Sequence, residues 1–163
     1  MRRPLPILLA CLAPGFASCS PQAAEPAPAP ETGTPARHPV SGLEVIPLTI
    51  SQNGKVHRFR VEVARTDADQ AKGLMFRTEM GPDEGMIFPS PYPQARSFWM
   101  KNTVIPLDIV FIGPDGFISN IAANAVPYSL DPIPSAGAAS AVLELNGGRA
   151  AELGIMPGAR VSW

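Results

Sequence analysis

Prolines and glycines divide this chain into short segments, and this feature limits its possible folds more than any other. The 163 residues include 20 prolines and 14 glycines. Proline interrupts both helices and strand ladders, and glycine favours turns. The length is typical of a single domain, for which about 100–200 residues are usual. The sequence therefore predicts one domain with many turns, short strands and little long helix.

The near-balance of charge and the scarcity of cysteine and histidine exclude several classes of protein. Lys and Arg number 13 and Asp and Glu 14, with a pI of about 6.1. Nucleic-acid-binding domains usually carry a basic stripe or a pI above about 9. Cys11 and Cys19 both lie near the N-terminus, and the two histidines are His38 and His57. These residues are too few for a disulfide scaffold or a multi-histidine metal site. We predict no nucleic-acid partner, no metal and no cofactor.

The first nineteen residues have the features of an export signal. Arg2 and Arg3 precede an apolar stretch over residues 5–17, which is shorter than the roughly 20 apolar residues of a spanning helix. The stretch ends in Phe16-Ala17-Ser18-Cys19, which resembles a bacterial lipobox except that Phe16 replaces the usual aliphatic residue. We predict a lipoprotein-type signal peptide over 1–19, with Cys19 lipidated. The alternatives are a plain cleaved signal and a misplaced start codon. The prediction places the protein in the periplasm, anchored to a membrane through the lipid.

Residues 20–42 have the composition of a tether. Six prolines alternate there with Ala, Glu and Thr, and almost no apolar side chain is larger than Ala or Val. Such a segment buries too little surface to offset the entropy lost on ordering. Proline also keeps it extended, near polyproline II. We predict a disordered, Pro/Ala-rich tether in which His38 is inert.

The pattern changes at residue 43, where a folded unit begins and continues to residue 163. A strand over 43–50 and a second over 56–63 flank Asn53-Gly54, a pair that readily adopts positive φ. In the second strand apolar and charged residues alternate, as in a half-buried strand. These observations predict a β-hairpin.

The rest of the unit contains short strands and one or two short helices. Thr66 can cap a helix of about ten residues, and a second short helix spans 149–153 before Gly154. Pro89, Pro91 and Pro93 separate two predicted strands, and residues 124–138 read as a loop. The predicted fold is mainly β: a compact β-sandwich or barrel-like domain with one or two short helices.

Several strings of this unit resemble a known family. They are Gly73-Leu74-Met75-Phe76-Arg77, Glu84-Gly85-Met86-Ile87-Phe88, Ser97-Phe98-Trp99-Met100-Lys101-Asn102-Thr103, Val104-Ile105-Pro106-Leu107-Asp108-Ile109, Val142-Leu143-Glu144-Leu145-Asn146-Gly147-Gly148 and Gly154-Ile155. Together they are similar to the domain of unknown function 192 family (uncharacterised protein family 0127), over essentially all of residues 43–163. The resemblance implies a compact β-rich domain of a mainly bacterial and archaeal family, often exported or lipid-anchored. It implies no established activity.

The candidate site residues are polar or aromatic side chains within apolar strings. A binding module is the leading interpretation: Trp99 supplies an aromatic platform, Lys101 a cation and Asn102 an amide donor. This set suits a small anionic or sugar-like ligand, or a loop of a partner protein in the envelope. The candidate binding residues are Arg77, Trp99, Lys101, Asn102, Asp108 and Glu144.

Two further interpretations remain open. In the structural one, the charges lie on solvated strand faces or form ion pairs, for instance Arg77 with a carboxylate, while Trp99 packs in the core and Asn102 forms a turn. In the enzymatic one, Asp108 and Glu144 converge from different strands and hydrolyse an envelope glycan as an acid–base pair. No nucleophile–base arrangement is visible, so the sequence favours a non-enzymatic function.

Overall fold

The computed structural model describes residues 36–163, which form one seven-stranded mixed sheet with two short helices. The predicted signal peptide, Cys19 and most of the predicted tether lie outside the described residues. No helix within 36–163 is long and apolar enough to span a membrane. The strands are β1 Val45–Gln52, β2 Lys55–Val63, β3 Glu84–Phe98, β4 Leu107–Ile112, β5 Ile118–Ala125, β6 Ile133–Asn146 and β7 Arg160–Ser162, and the helices are α1 Asp67–Lys72 and α2 Arg149–Leu153.

The predicted hairpin is confirmed. β1 and β2 pair antiparallel, and Asn53 and Gly54 turn the chain with φ of 51° and 76°. Positive φ at both central residues gives a turn whose twist matches that of the two strands. The sheet then continues in the order β5-β4-β6-β3-β2-β1-β7.

A crossover connection containing α1 joins β2 to its parallel neighbour β3. Thr66 and Asp69 form a reciprocal capping box at the helix start, as the sequence predicts in part. The helix is six residues long rather than about ten, because Gly73 leaves the helical conformation with φ 48° and ψ −135°. A Cβ at Gly73 would lie 3.3 Å from the Phe88 ring, so the chain passes close to β3 there.

The proline-rich stretch after Phe88 differs from the prediction. The two expected strands form one strand, β3, which pairs antiparallel with β6. The pairing breaks register between Pro89 and Gln94 and then resumes, so the prolines lie where the ladder requires no donors from them. β6 begins at Ile133, within the residues predicted to form a loop, and extends the sheet along β3.

The sheet is curled into a half-barrel with a core on each face. Phe117, just before β5, forms a bridge with Arg160 of β7, so the two edges of the sheet meet at one end. The first core contains Ile118 and Val161 from these edges and therefore lies inside the curl. The second core, around Met86, Phe88 and Met100, covers the opposite face. The prediction of a mainly β, barrel-like domain with short helices is confirmed.

Residues 36–42 form an ordered turn, in contrast to the disordered tether predicted for them. The His38 N–H donates to the Leu43 carbonyl at 2.9 Å, and the Gly42 N–H donates to the His38 carbonyl at 2.8 Å. The His38 ring lies against Glu62 and Arg77, so the interpretation of His38 as inert is wrong. Composition could not reveal these partners, because both are distant in sequence.

Candidate functional site

Asp108 and Glu144 lie on opposite faces of the sheet. β4 and β6 pair so that Asp108 is opposite Leu145 and Ile109 is opposite Glu144. Directly opposed residues of antiparallel strands share a face. Leu145 belongs to the first core and Ile109 to the second. The sheet therefore separates the two carboxyl groups. The hypothesis of a glycan hydrolase that uses them as an acid–base pair is wrong, because both groups must flank one bond.

Asp108 is fully buried, and both of its carboxylate oxygens accept hydrogen bonds. Its Oδ1 accepts hydrogen bonds from the N–H groups of Asn124 and Gly148, each at 2.9 Å, and its Oδ2 accepts one from Ala150 at 2.8 Å. Gly148 and Ala150 lie at the start of α2, where free backbone N–H groups favour an anion. Asp108 thus fixes α2 and the end of β5 to β4. It is a structural residue and contacts neither of the two clefts described below.

Glu144 is also buried as a residue, with 5% of its surface exposed. Its carboxyl group accepts no hydrogen bond from residues 36–163, and its oxygens keep some contact with solvent. It lies at the floor of a cleft of about 210 Å³. Burial raises the pKa of Glu144 to about 8, because the charged form is poorly solvated there. At neutral pH the side chain is therefore a neutral carboxylic acid, which can donate a hydrogen bond as well as accept one.

Cationic and aromatic residues line the same cleft as this carboxyl group. We call the space the Glu144 cleft. None of its three cationic residues, Lys72, Arg96 and Lys101, forms an ion pair with a carboxylate within residues 36–163. Burial lowers the pKa of the Arg96 guanidinium. The lining comprises Gln70, Ala71, Lys72, Gly73, Leu74, Met75, Phe88, Arg96, Ser97, Phe98, Trp99, Lys101, Thr103 and Glu144.

Trp99 and Lys101, both predicted site residues, border the cleft together. The Lys101 Nζ lies 5.3 Å from the centroid of the Trp99 ring, within cation–π range. Trp99 is half exposed and not packed in the core. On the neighbouring wall Arg96 lies 5.6 Å from the Phe98 centroid and donates to Gln70 at 3.0 Å and Ser90 at 2.7 Å. The cleft mouth thus combines positive charge with aromatic surface.

Arg77 lies in a second, larger cleft of about 650 Å³, which we call the Arg77 cleft. Its guanidinium donates two hydrogen bonds to Glu62, at 2.8 and 3.1 Å, with both side chains buried. Ser41 donates to the same carboxylate, and His38 Nε2 lies 3.4 Å from the guanidinium. Arg77 therefore forms the structural ion pair that the sequence left open.

Asn102 borders neither cleft. It adopts φ 55°, its carbonyl accepts a hydrogen bond from the Phe76 N–H at 2.8 Å, and its amide lies 3.8 Å from the Met75 sulfur. Asn tolerates this left-handed conformation better than most residues. The interpretation of Asn102 as a turn residue describes it, and it is not a binding group of the Glu144 cleft.

Of the six predicted residues, the structure brings together Trp99, Lys101 and Glu144. The sequence analysis missed Lys72 and Arg96, the other cations of the same cleft. Arg96 directly precedes Ser97-Phe98-Trp99, but its role depends on β3 continuing through the prolines. Lys72 shows no local signal, because its place at the cleft follows from the crossover. Residues 36–163 contain no group of three or more His, Cys, Asp or Glu side chains able to hold a metal.

Comparison with known proteins relates the chain to solved structures whose function is not established or only proposed. A crystal structure of a protein of unknown function from Novosphingobium aromaticivorans DSM 12444 has 57% identity and a TM-score of 0.78, over 86% of this chain and 100% of that one. A protein from Sinorhizobium meliloti 1021, proposed to be a transcription regulator, has 39% identity and a TM-score of 0.72, over 74% and 94% of the two chains. None of the curated proteins compared with the chain matches it.

The family model DUF192, described as "Uncharacterized ACR, COG1430", matches residues 48–163. This range contains β2 to β7, most of β1, and every residue of the Glu144 cleft. The resemblance inferred from the sequence strings is thereby confirmed. The chain belongs to the DUF192 family.

Proposed function

We propose that this domain binds a small organic anion in the Glu144 cleft, without catalysis. One observation carries the proposal: the carboxyl group of the buried residue Glu144, which has no hydrogen-bond partner among residues 36–163, lines the same cleft as three cations that pair with no carboxylate of those residues. Buried polar groups are normally bonded, so an unpartnered one that opens into a cleft favours a ligand that completes it. The cations favour a negatively charged ligand.

The cleft also limits the size and shape of the ligand. Its volume of about 210 Å³ equals that of roughly seven water molecules at about 30 Å³ each. Trp99 and Phe98 offer aromatic faces to a flat or apolar body. A neutral Glu144 can donate to an oxygen of the anion. A small carboxylate with a flat body, such as benzoate, fits these requirements.

The larger Arg77 cleft is a weaker candidate despite its volume. Its buried charges, Arg77 and Glu62, bond to each other, and Asp69 is used in capping α1. Glu84 accepts from the Gly81 N–H and lies near Arg60. A ligand there would have to replace bonds already made, whereas a ligand in the Glu144 cleft adds new ones.

A role in transcription regulation through nucleic-acid binding, considered because of the similarity to the Sinorhizobium protein, is less favoured. Residues 43–163 contain ten Lys and Arg against twelve Asp and Glu, which gives a net charge of −2. Binding to the phosphate backbone depends on an excess of cations along one surface. The three cations here surround a small cleft instead.

The cellular setting belongs to the same proposal: the protein is exported and anchored to a membrane by a lipid on Cys19. The apolar N-terminal stretch and the Ala17-Ser18-Cys19 sequence support this. Inhibiting the lipoprotein signal peptidase should cause the unprocessed precursor to accumulate. A Cys19→Ser variant should lose the membrane attachment. Processing that is unchanged by the inhibitor would contradict the lipid anchor.

The binding proposal is tested by titrating the protein with benzoate and with benzamide, its neutral analogue. Benzoate should raise the melting temperature saturably, because a ligand of the native state stabilises it, and benzamide should have much less effect. Lys101→Ala should weaken benzoate binding about tenfold, while Lys55→Ala, at the start of β2, should not change it. Equal effects of both ligands, or of both lysine variants, would contradict an anion site in this cleft.

A further inference from the structure

Five large apolar side chains are exposed on connected loops, and one of them, Trp99, lines the Glu144 cleft. They come from three loops joined by backbone hydrogen bonds: Phe76 to Asn102 at 2.8 Å, Tyr128 to Thr103 at 3.2 Å, and Met100 to Ser129 at 2.9 Å. Phe76 is 69% exposed, Tyr128 61% and Trp99 51%. We call this set the aromatic surface: Phe76, Trp99, Val126, Tyr128 and Leu130.

Two of these exposed aromatic residues have a backbone conformation that bulky residues seldom adopt. Phe76 and Tyr128 have φ of 62° and 63°, a region in which bulky residues are rare. Such a conformation is energetically unfavourable for a residue with a side chain. Here the interloop hydrogen bonds fix it at positions where aromatic rings meet water. Strain combined with exposed apolar area indicates an interaction surface.

Unpaired cations accompany the aromatic surface. Lys101, two residues after Trp99, lies over its ring, and exposed Lys72 borders the same cleft as Trp99. Neither lysine pairs with a carboxylate within residues 36–163. Aromatic rings with adjacent lysines suit the interface of an anionic lipid bilayer, where rings enter the headgroup region and cations meet lipid phosphates.

The N-terminal segment enters the domain on this side. Residues 38–41 line the Arg77 cleft together with Phe76, and His38 contacts Arg77, the neighbour of Phe76. Sixteen residues, 20–35, lie between Cys19 and the described part of the chain. A lipid on Cys19 would therefore keep this side of the domain within reach of the bilayer.

We propose that the aromatic surface docks on an anionic membrane, with Phe76, Trp99 and Tyr128 in the headgroup region. The mouth of the Glu144 cleft then lies next to the bilayer surface. This inference goes beyond the proposed binding of a small anion and does not require it.

Two tryptophans with similar exposure provide a matched test. Trp99 lies in the aromatic surface, whereas Trp163, 48% exposed, follows β7 and borders neither cleft. The protein is the chain from residue 19 with Cys19→Ser, so that no lipid contributes. Trp163→Phe leaves Trp99 as the reporter, and Trp99→Phe leaves Trp163. Vesicles contain equal amounts of phosphatidylcholine and phosphatidylglycerol, with or without brominated acyl chains.

Trp99 fluorescence should shift to shorter wavelength on vesicle addition and be quenched by brominated lipid, while Trp163 fluorescence should not change. Phe76→Ser combined with Tyr128→Ser should reduce cosedimentation with these vesicles at least about fivefold, whereas Tyr92→Ser, on β3 and 78% exposed, should not. Each variant's melting temperature verifies that it is folded. An unchanged Trp99 signal, or equal responses of the two tryptophans, would overturn the proposal. The benzoate titration is done without lipid, so either proposal can fail without the other.

Discussion

Asp108 and Glu144 are two buried carboxyl groups on neighbouring strands, and their surroundings differ in every respect except burial. Asp108 accepts three backbone hydrogen bonds and fixes α2 in place. Glu144, on the other face, accepts none within residues 36–163 and opens into a cleft. Burial alone therefore does not show whether an acid is held by hydrogen bonds or faces a cleft. The hydrogen-bond partners do, since a bonded group has nothing left to offer a ligand.

Glu62 is an intermediate case. It is as buried as Glu144, but Arg77 satisfies both of its oxygens. The three acids thus form a series, from a carboxylate held by backbone, through one held by a side chain, to one without a hydrogen-bond partner among the described residues. This series predicts distinct responses to substitution.

The largest effect is expected for Asp108→Ala. The change removes three hydrogen bonds to a charged acceptor, worth about 2 kcal/mol each, and leaves backbone donors of α2 and β5 unsatisfied. We expect a loss of about 6 kcal/mol of unfolding free energy, comparable with the total stability of many domains. Urea unfolding measures it. A loss below about 2 kcal/mol would show that Asp108 is not the anchor of α2.

Glu144→Gln should stabilise the protein at high pH, whereas Asp108→Ala destabilises it. The gain in unfolding free energy should depend on pH. The pKa of Glu144 is about 8 in the folded protein against a reference of 4.5, so between these values the native state holds one more proton than the unfolded chain. The contribution of the Glu144 proton to the unfolding free energy is then fully present below pH 4.5 and is lost as pH rises toward 8. The full shift corresponds to about 5 kcal/mol. Glu144→Gln should remove this decline and be more stable than the parent at pH 9.

Matched urea unfolding at pH 5 and pH 9 tests this prediction. The two proteins should have similar stability at pH 5. The same ionisation should weaken benzoate binding to the parent above pH 8, since a second negative charge then occupies the cleft. Parallel pH profiles for the parent and Glu144→Gln would contradict a neutral acid at this position.

A smaller effect is expected for Glu62→Gln. The substitution leaves the buried Arg77 guanidinium without its carboxylate, and loss of one partner of a buried pair costs about 3 kcal/mol or more. Thermal and urea unfolding would detect this loss. If Glu62→Gln left the unfolding free energy unchanged, the Arg77–Glu62 pair would contribute no more to stability than an ion pair at the surface.

The smallest effect is expected for Glu44→Gln, the control for Glu62. Glu44 pairs with Arg65 at 2.9 Å, but the arginine side chain is largely exposed. Exposed pairs contribute less than about 1 kcal/mol. A Glu44→Gln loss as large as that of Glu62→Gln would mean that burial is not what makes the second pair important.

The parts of the fold that depend on near neighbours could be predicted from the sequence. Alternation over 56–63 and the Asn53-Gly54 pair define the first hairpin, and Thr66 begins α1 as expected. The continuity of β3 could not be predicted, because prolines normally end a strand. Here a register shift accommodates them, and pairing with distant β6 restores the ladder.

For the candidate site, the sequence predicted some of the residues but not how they are arranged. Trp99, Lys101 and Glu144 stood out as polar or aromatic residues in apolar strings, and they share one cleft. That Asp108 faces away from Glu144 depends on the register of β4 against β6, which no local pattern contains. The partners of Asp108 lie 16 to 42 residues away in sequence. Long-range pairing thus decides which acid is structural.

The pairing of β3 with β6 also has a consequence for how the chain folds in time. These strands form the middle of the sheet, yet β6 ends only at Asn146, and the edge strand β7 joins the first strand, β1. Folding slows as native contacts become more distant in sequence. The centre of the sheet cannot form until nearly the whole chain has been synthesised. For a protein exported as we propose, this delay would keep the nascent polypeptide unfolded and competent for translocation.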